Sequence, residues 1–402
     1  MSSSRLRSRA ALATVVYAVL LAQVLLYPGV DTLVAALGAE TAGLDASMWF
    51  LTAEFAAFVV FAVPWGAASD AAGRRVPFVA GSALLGGLGY ALLAVLPAVV
   101  APSFEAVLAL RALQGAATVG AFSLSMTMLM DLEGSHGRNM GAGGIAIGLG
   151  TATGAPLGGA LYEVGPLVPL YVASGVLCVL AVAVPLLVDD APLDGRSSGR
   201  SPFDGLRRTP RLALPYAFGF VDRLTAGFFS LVGTLYFRTV FGLSPGATGL
   251  TLALFFAPFA LLQYPFGVVS DRVGRRLPIV AGSALYGGAV ILVGAVTTVR
   301  AAQAAMVVVG VLGALMVPAT MALVTDLAAP DERGVAMAGF NIAGSVGFLA
   351  GILLGGVAAD AYGYPTAFLL VGGLELAIAA VTIPVFLRVG DGGGGGRHAV
   401  EA

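Results

Sequence analysis

Runs of about 20 apolar residues recur along this chain, each the length a helix needs to cross a bilayer core about 30 Å thick, and short polar turns divide them. Twelve can be placed, at approximately 10–30, 47–68, 76–100, 104–130, 139–162 and 167–188, then 212–237, 247–269, 277–299, 303–324, 334–359 and 365–387. The pattern predicts an all-α integral membrane protein of twelve transmembrane helices. Residues 189–210, rich in Gly, Ser, Pro and Arg, read as a polar linker rather than a folded element. The linker separates a first six-helix bundle, 1–188, from a second, 211–389. The glycine-rich tail, 390–402, is expected to be disordered. Arg5, Arg7 and Arg9 precede the first run as in a secretory leader, but the run is about 20 residues long and lacks a small-x-small cleavage pattern before Tyr27, so it reads as an uncleaved span.

The halves are copies of one another. Pro64-Trp-Gly-Ala-Ala-Ser-Asp-Ala-Ala-Gly-Arg-Arg-Val-Pro77 returns as Pro265-Phe-Gly-Val-Val-Ser-Asp-Arg-Val-Gly-Arg-Arg-Leu-Pro278, and the Val-Ala-Gly-Ser-Ala-Leu that begins at Val79 returns at Val280. A second pair of turns, Asp131 to Arg138 and Asp326 to Arg333, shares its opening Asp-Leu and its final Arg. Such a duplication points to a transporter built from two equivalent halves. Basic residues stay on the cytoplasmic side of a membrane. Arg74, Arg75, Arg138, the arginines from Arg196 to Arg211 and from Arg272 to Arg276, and Arg333 all fall on one side with both termini; only Arg238 and Arg300 fall on the other. A multi-pass protein of the cell membrane with both termini in the cytoplasm is therefore expected.

Composition narrows the chemistry. The 402 residues are 58% hydrophobic and 11% charged, about half the charge of a soluble domain. All 21 basic residues are arginine, so neither a P-loop lysine nor a Schiff-base lysine is present. Cys178 is alone and the histidines are His136 and His398, which leaves no disulfide and no thiolate or histidine metal cage. The glycine-rich run Gly141 to Gly150 has neither the preceding strand nor the following acid of a dinucleotide loop. No enzyme, cofactor, metal or nucleic-acid role is expected.

Gly66-x-x-x-Asp70-x-x-Gly73-Arg74-Arg75 and its copy Gly267-x-x-x-Asp271-x-x-Gly274-Arg275-Arg276 resemble the loop motif of the major facilitator superfamily, and the chain as a whole resembles that family's twelve-span proton-linked drug exporters. The resemblance implies the MFS fold and a loop that holds the two halves together on the cytoplasmic side. Its glycines would let helices approach closely, and its aspartate would gain about 0.3–1 kcal/mol beside a helix N-terminus. Ala71, where the family often has arginine, implies a weaker charge network in the first copy.

The fourth span carries Arg111-Ala-Leu-Gln-Gly115, similar to a family element whose arginine is linked to proton transfer. An arginine within the bilayer costs about 2.5 kcal/mol or more and needs a partner or water. Glu54, at similar depth on the second span, is the expected partner, either as a static ion pair or as one that titrates. In the fifth span Gly150, Gly154, Pro156, Gly158 and Gly159 resemble the family's antiporter motif, with small-residue packing as the plainer account. The eleventh span has the glycines without the proline. Asp222 and Arg223 lie near mid-membrane in the seventh span, and adjacent residues diverge by about 100°. The resemblance implies that one of them faces a central cavity lined by spans 1, 4, 7 and 10. Asp222 is the first candidate for an acid that takes up and releases a proton, with an ion pair to a neighbouring helix as the alternative. Glu375 falls on the twelfth span, peripheral in this fold, and ranks below it.

Side-chain amides are few, as Asn139, Asn341, Gln23, Gln114, Gln263 and Gln303 are all there are, whereas spans 7 and 8 are rich in phenylalanine. Gln114, Phe228 and Tyr236 are the candidate cavity residues, suited to a hydrophobic or amphipathic solute. The function expected is a secondary transporter, a proton-coupled antiporter exporting such solutes by alternating access. Its partners would be protons, a small-molecule substrate and the lipid bilayer, and it would work as a monomer. An uptake symporter or a facilitator for a small metabolite is the alternative.

Overall fold

The computed structural model describes residues 3–39, 43–132, 136–190, 202–329 and 332–389. Among them the backbone is helical, with no strand. Helix α1 (Ser3–Val24) continues through a 3₁₀ turn, Tyr27–Gly29, into a short helix, Val30–Ala36. It is followed by α2 (Leu44–Ala72), α3 (Val76–Val99), α4 (Phe104–Asp131), α5 (His136–Val164) and α6 (Val168–Leu187). The second half comprises α7 (Ala213–Phe228), α8 (Pro245–Val273), α9 (Arg276–Ala295), α10 (Val299–Leu327), α11 (Arg333–Tyr362) and α12 (Tyr364–Val389). Eleven spans are continuous, long and apolar enough to cross a membrane. The twelfth, α7, is interrupted by a π turn, Phe229–Gly233, and resumes over Thr234–Thr239.

Several helices begin where a hydroxyl residue caps them. Ser103, Ser244 and Thr298 stand in extended conformation ahead of α4, α8 and α10, and their oxygens accept from the N–H of Ala106, Ala247 and Ala301 at 3.4, 3.3 and 3.3 Å. Each satisfies one of the free donors of a first turn. This is why α10 starts at Val299, ahead of the strongly apolar stretch.

The duplication is visible in the packing. Helix α1 packs on α5, α2 on α4, and α3 on α4 and α6; in the second half α7 packs on α11, α8 on α10, and α9 on α10 and α12. Two seams join the halves, α5 with α8 and α2 with α11. In a bilayer, helices associate through close packing, which small residues permit. Gly150, Gly154 and Gly158 form a row facing α1, where a Cβ at 158 would strike the Leu25 carbonyl oxygen. Gly347, Gly351 and Gly355 repeat that row against Phe220, Leu224 and Phe228 of α7. One position further along, Gly159 meets Pro245 and Gly246 of α8, and Gly356 meets Met48 of α2. Helices α5 and α11 thus hold their own half with one glycine row and the other half with the adjoining residue. In this register Leu353 occupies in α11 the place of Pro156.

The linker departs from the expectation of an unfolded segment. Its end, Pro202–Arg208, is a short helix lying on α11, with Gly205 against Ala336 and Arg208 paired to Glu332 at 2.7 Å. Residues 191–201 and the tail 390–402 lie outside the described residues.

Candidate functional site

The first half encloses an ionic network between α2, α3 and α4. Glu54 and Arg111 pair there, both side chains fully buried. Arg111 also donates to the Gln114 side-chain oxygen, and the Gln114 amide donates to Thr118 Oγ1 at 2.6 Å. The Tyr90 hydroxyl donates to Glu54 Oε1 at 3.3 Å, and the guanidinium lies 4.6 Å from the Phe50 ring centroid and 5.3 Å from that of Tyr90. Arg111 Nε has no hydrogen-bond partner. The two side chains expected to pair do so, with Phe50, Tyr90 and Gln114 around them. Gly115 makes the contact possible, because its Cα lies against the backbone of Glu54. In the second half Gly310 lies the same way against the backbone of Phe255. That correspondence sets Phe255 opposite Glu54 and Met306 opposite Arg111. Both are buried, so one half fills with apolar side chains the place where the other buries charge.

Asp222 and Arg223 diverge as adjacent helical residues must, but neither is carried by these contacts onto a central opening. Arg223 lies along α11, its Cγ beside Gly344. Asp222 is 8% exposed, on the face of α7 that carries Thr225 one turn on. Thr225 donates at 3.3 Å to Glu375 of α12, which is fully buried and also accepts from Ser283 at 2.8 Å. Glu375 lies on the twelfth helix as expected, and the face of that helix that bears it packs against α7 and α9. The candidate cavity residues are corrected. Gln114 belongs to the ionic network at 1% exposure. Phe228 and Tyr236 are buried among aromatic rings, both 4.9 Å from the Phe368 centroid. Beside them the π turn, a feature common at functional positions, carries no signal in hydrophobic periodicity.

The two arginine turns share one geometry. Arg75 binds Asp70 at 3.3 Å and Asp131, while Arg275 binds Asp271 and Asp326, the latter at 3.1 Å. The repeated motif aligns Arg74 with Arg275, yet it is Arg75 that does the matching work, so α3 and α9 enter one residue out of register. Arg74 and Arg276 are exposed. Gly73 closes α2 at φ +65°, and Gly274 follows α8 at φ +87°, a region that disfavours side chains and explains the fixed glycine. Among the described residues the bonded partners of each turn lie in its own half or at the start of the linker, and none spans the halves in this conformation. Asp70 and Asp271 stand in the last turn of their own helices and bind the arginines at the N-caps of the helices that follow. A Cβ at Gly66 would meet nothing within 4 Å, and one at Gly267 would meet Pro318 at 3.7 Å. The first network is also the richer one, because Asp190 accepts from the backbone N–H of Arg75 and Val76 at 3.0 and 3.3 Å, while Arg272, which replaces Ala71, is exposed.

The opposite face is closed by residues that sequence reasoning missed. Arg238, at the end of the α7 span, grips both carboxylate oxygens of Asp31 at 2.9–3.1 Å and Thr32 at 3.0 Å, joining the halves. Glu163 accepts from the N–H of Gly246 at 2.9 Å, where α5 meets the start of α8. The available signal was Arg238 itself, one of two arginines on the poorly basic side. Deeper in, Phe55 of α2 and Phe348 of α11 stack across the seam with centroids 4.4 Å apart.

The family model of the Major Facilitator Superfamily matches residues 12–237 and 215–398, one match for each half. The chain belongs to that superfamily. Its similarity to curated members is partial: 31% identity to an uncharacterized MFS-type transporter of Methanocaldococcus jannaschii across 40% of this chain, and 27% identity to the MFS-type transporter SLC18B1 of Rattus norvegicus across 61%. The chain spans 42% and 57% of those relatives' lengths. Solved structures share the fold. A bacterial homologue of the human lysosomal transporter Spinster, inward-facing and unoccupied, superposes with a TM-score of 0.75 at 14% identity, covering 97% of this chain and 96% of that one. The human organic anion transporter MFSD10 gives 0.71 at 21% identity, covering 95% and 100%.

In this MFS transporter the helices part toward the face bearing the arginine turns. Along α1, Ala10 and Thr14 are exposed and Tyr17 half-buried, until Leu21 is buried; along α7, Ala213, Ala217, Phe220 and Leu224 repeat the sequence of exposures. The opening narrows upward to the Phe55–Phe348 pair, beside which Phe58 and Phe122 lie 5.6 Å apart.

Proposed function

We propose that this MFS transporter is a proton-coupled antiporter that exports hydrophobic or amphipathic solutes by alternating access, and that Glu54 with Arg111 couples proton movement to the exchange. It resides in the cell membrane as a monomer with both termini and the arginine turns in the cytoplasm, so the open vestibule faces inward. The observation that carries the coupling role is the single-sided ion pair. Phe255 and Met306 fill the equivalent place, so the fold does not need charge there. Burying two ions is costly and is often no better for stability than apolar packing, which argues that this pair is kept for what it does. Tyr90, Gln114 and Thr118 provide a hydroxyl and amide chain along which the pair can rearrange when Glu54 accepts a proton. The aromatic pairs Phe55–Phe348 and Phe58–Phe122 at the narrow end of the opening favour apolar or amphipathic cargo.

The test uses proteoliposomes containing a pH-sensitive dye and an imposed pH gradient, with tetraphenylphosphonium and neutral lipophilic dyes as probes. Adding a transported probe should dissipate the gradient in the native protein. In Glu54→Gln that proton flux should be lost while exchange of labelled for unlabelled probe continues without a gradient. Probe movement in the native protein that is indifferent to the pH gradient would overturn proton antiport.

A further inference from the structure

The second half holds a buried acid that the coupling role of Glu54 does not use. Glu375 of α12 is fully buried, and its two oxygens accept from the hydroxyls of Thr225 on α7 and Ser283 on α9. Asp222 stands one turn from Thr225 on the same face of α7, is more than nine-tenths buried, and has no hydrogen-bond or ion-pair partner among the described residues. The side chains are held close by glycine contacts. A Cβ at Gly287 of α9 would fall 2.8 Å from Cβ of Glu375 and 2.6 Å from the Gly372 oxygen, so α9 and α12 touch at this level and shut out lipid.

Other charged and titratable groups are few. Tyr286 of α9, 1% exposed, lies within electrostatic reach of both acids. Arg223 is near Asp222 on the same helix, but its stem runs along α11 and it forms no ion pair with either acid. Because Thr225, one turn from Asp222 on the same face of α7, is bonded to Glu375, the two carboxylates stand in one buried layer, and burial of two acids together disfavours charge on both. The ligand this arrangement suits is a proton. The hydroxyls of Thr225 and Ser283 already donate to Glu375, and the oxygens of Asp222 are left as the acceptor for a hydrogen held between the acids.

We propose that Asp222 and Glu375 form a second proton-binding site, enclosed by α7, α9 and α12 and separate from Glu54. It stands apart from the coupling role of Glu54 and holds whichever half drives transport. The π turn Phe229–Gly233 begins one turn beyond Thr225, so the site lies in the regular part of α7 that adjoins it.

Infrared spectroscopy of the purified full-length protein in nanodiscs tests this through the carbonyl stretch of protonated carboxyl groups, which shifts in heavy water. In Glu54→Gln, where the first site is silent, such a band is expected at neutral pH, and it should disappear in Glu54→Gln/Asp222→Asn/Glu375→Gln. Ser283→Ala, which keeps both acids and alters only a donor, should move the pH midpoint of the band by about one pH unit or more. A band that is absent from Glu54→Gln at neutral pH, or that survives loss of both acids, overturns the proposal. The first of these outcomes needs no change at the site, so a misfolded triple variant does not rescue it. Loss of gradient coupling in Glu54→Gln with the band intact leaves the two sites distinguished.

Discussion

Breaking the closed face should change which side of the transporter opens. Arg238 and Asp31 are 17% and 23% exposed and share three contacts of 2.9–3.1 Å across the halves. Hydrogen bonds to charged groups contribute about 1.5–3 kcal/mol, whereas exposed pairs contribute about 0–1 kcal/mol. Mostly buried and bidentate, this pair should contribute about 1–3 kcal/mol to the closed state, or roughly 5–150-fold in the ratio of closed to open. The reporter is maleimide labelling at Met48→Cys in a Cys178→Ser background, because Met48 is 6% exposed and sits against Gly356 of the other half just inside the seal. Asp31→Asn and Arg238→Gln should each raise the labelling rate by roughly 5–150-fold, and the double variant should add little to either. Asp31→Asn is the cleaner probe, since Arg238 also donates to the Leu243 carbonyl within its own half at 2.8 Å. Rates changed less than twofold, or two effects that multiply independently, would refute the idea that this pair holds the face shut.

Two further outcomes follow from the packing. Arg111→Met alone leaves Glu54 buried without its partner and should lower stability by about 3–5 kcal/mol, whereas Glu54→Gln/Arg111→Met, which approaches the apolar solution of the second half, should unfold at or above the native temperature; thermal unfolding in detergent separates the two, and equal losses would contradict the reading. Gly158→Leu drives a side chain into the Leu25 carbonyl, a backbone group unable to yield, and should cost about 1–3 kcal/mol or more with aggregation on size exclusion. Gly66→Leu meets open space in this conformation, so it should leave the melting temperature unchanged while slowing turnover, because the halves must close over that position; comparable destabilisation by both would count against the assignment of the open side.

Much of the architecture was legible in order of residues because a bilayer imposes a length on every span and forbids unpaired backbone within it. Pairing of Glu54 with Arg111 was also legible, since isolated charge in such a setting needs a partner at its own depth and only one acid offered itself. The closing pair was harder. Asp31 and Arg238 lie 207 positions apart, and neither carries a motif. The contacts of Glu375 with Thr225 and Ser283 were not legible, because the placement of a helix at the periphery says nothing of the direction in which one side chain on it points. Phe228 and Tyr236 are aromatics of the seventh span, but their rings pack against Phe368.

The linear order of residues determined a duplicated, twelve-span transporter, the side that gathers arginine, and a costly charge in the fourth span, because each is a matter of length, repetition or composition. Tertiary structure decided what the copies do differently. Gly115 and Gly310 bring the same helices into the same contact, yet one contact carries Glu54 and Arg111 and the other Phe255 and Met306. The register of α3 against α9 gave the bonded role to Arg75 in one turn and to Arg275 in the other. The physical reason is that a helix shows its side chains by angle, and only the neighbours packed around it settle which angle meets charge, hydroxyl, lipid or an opening.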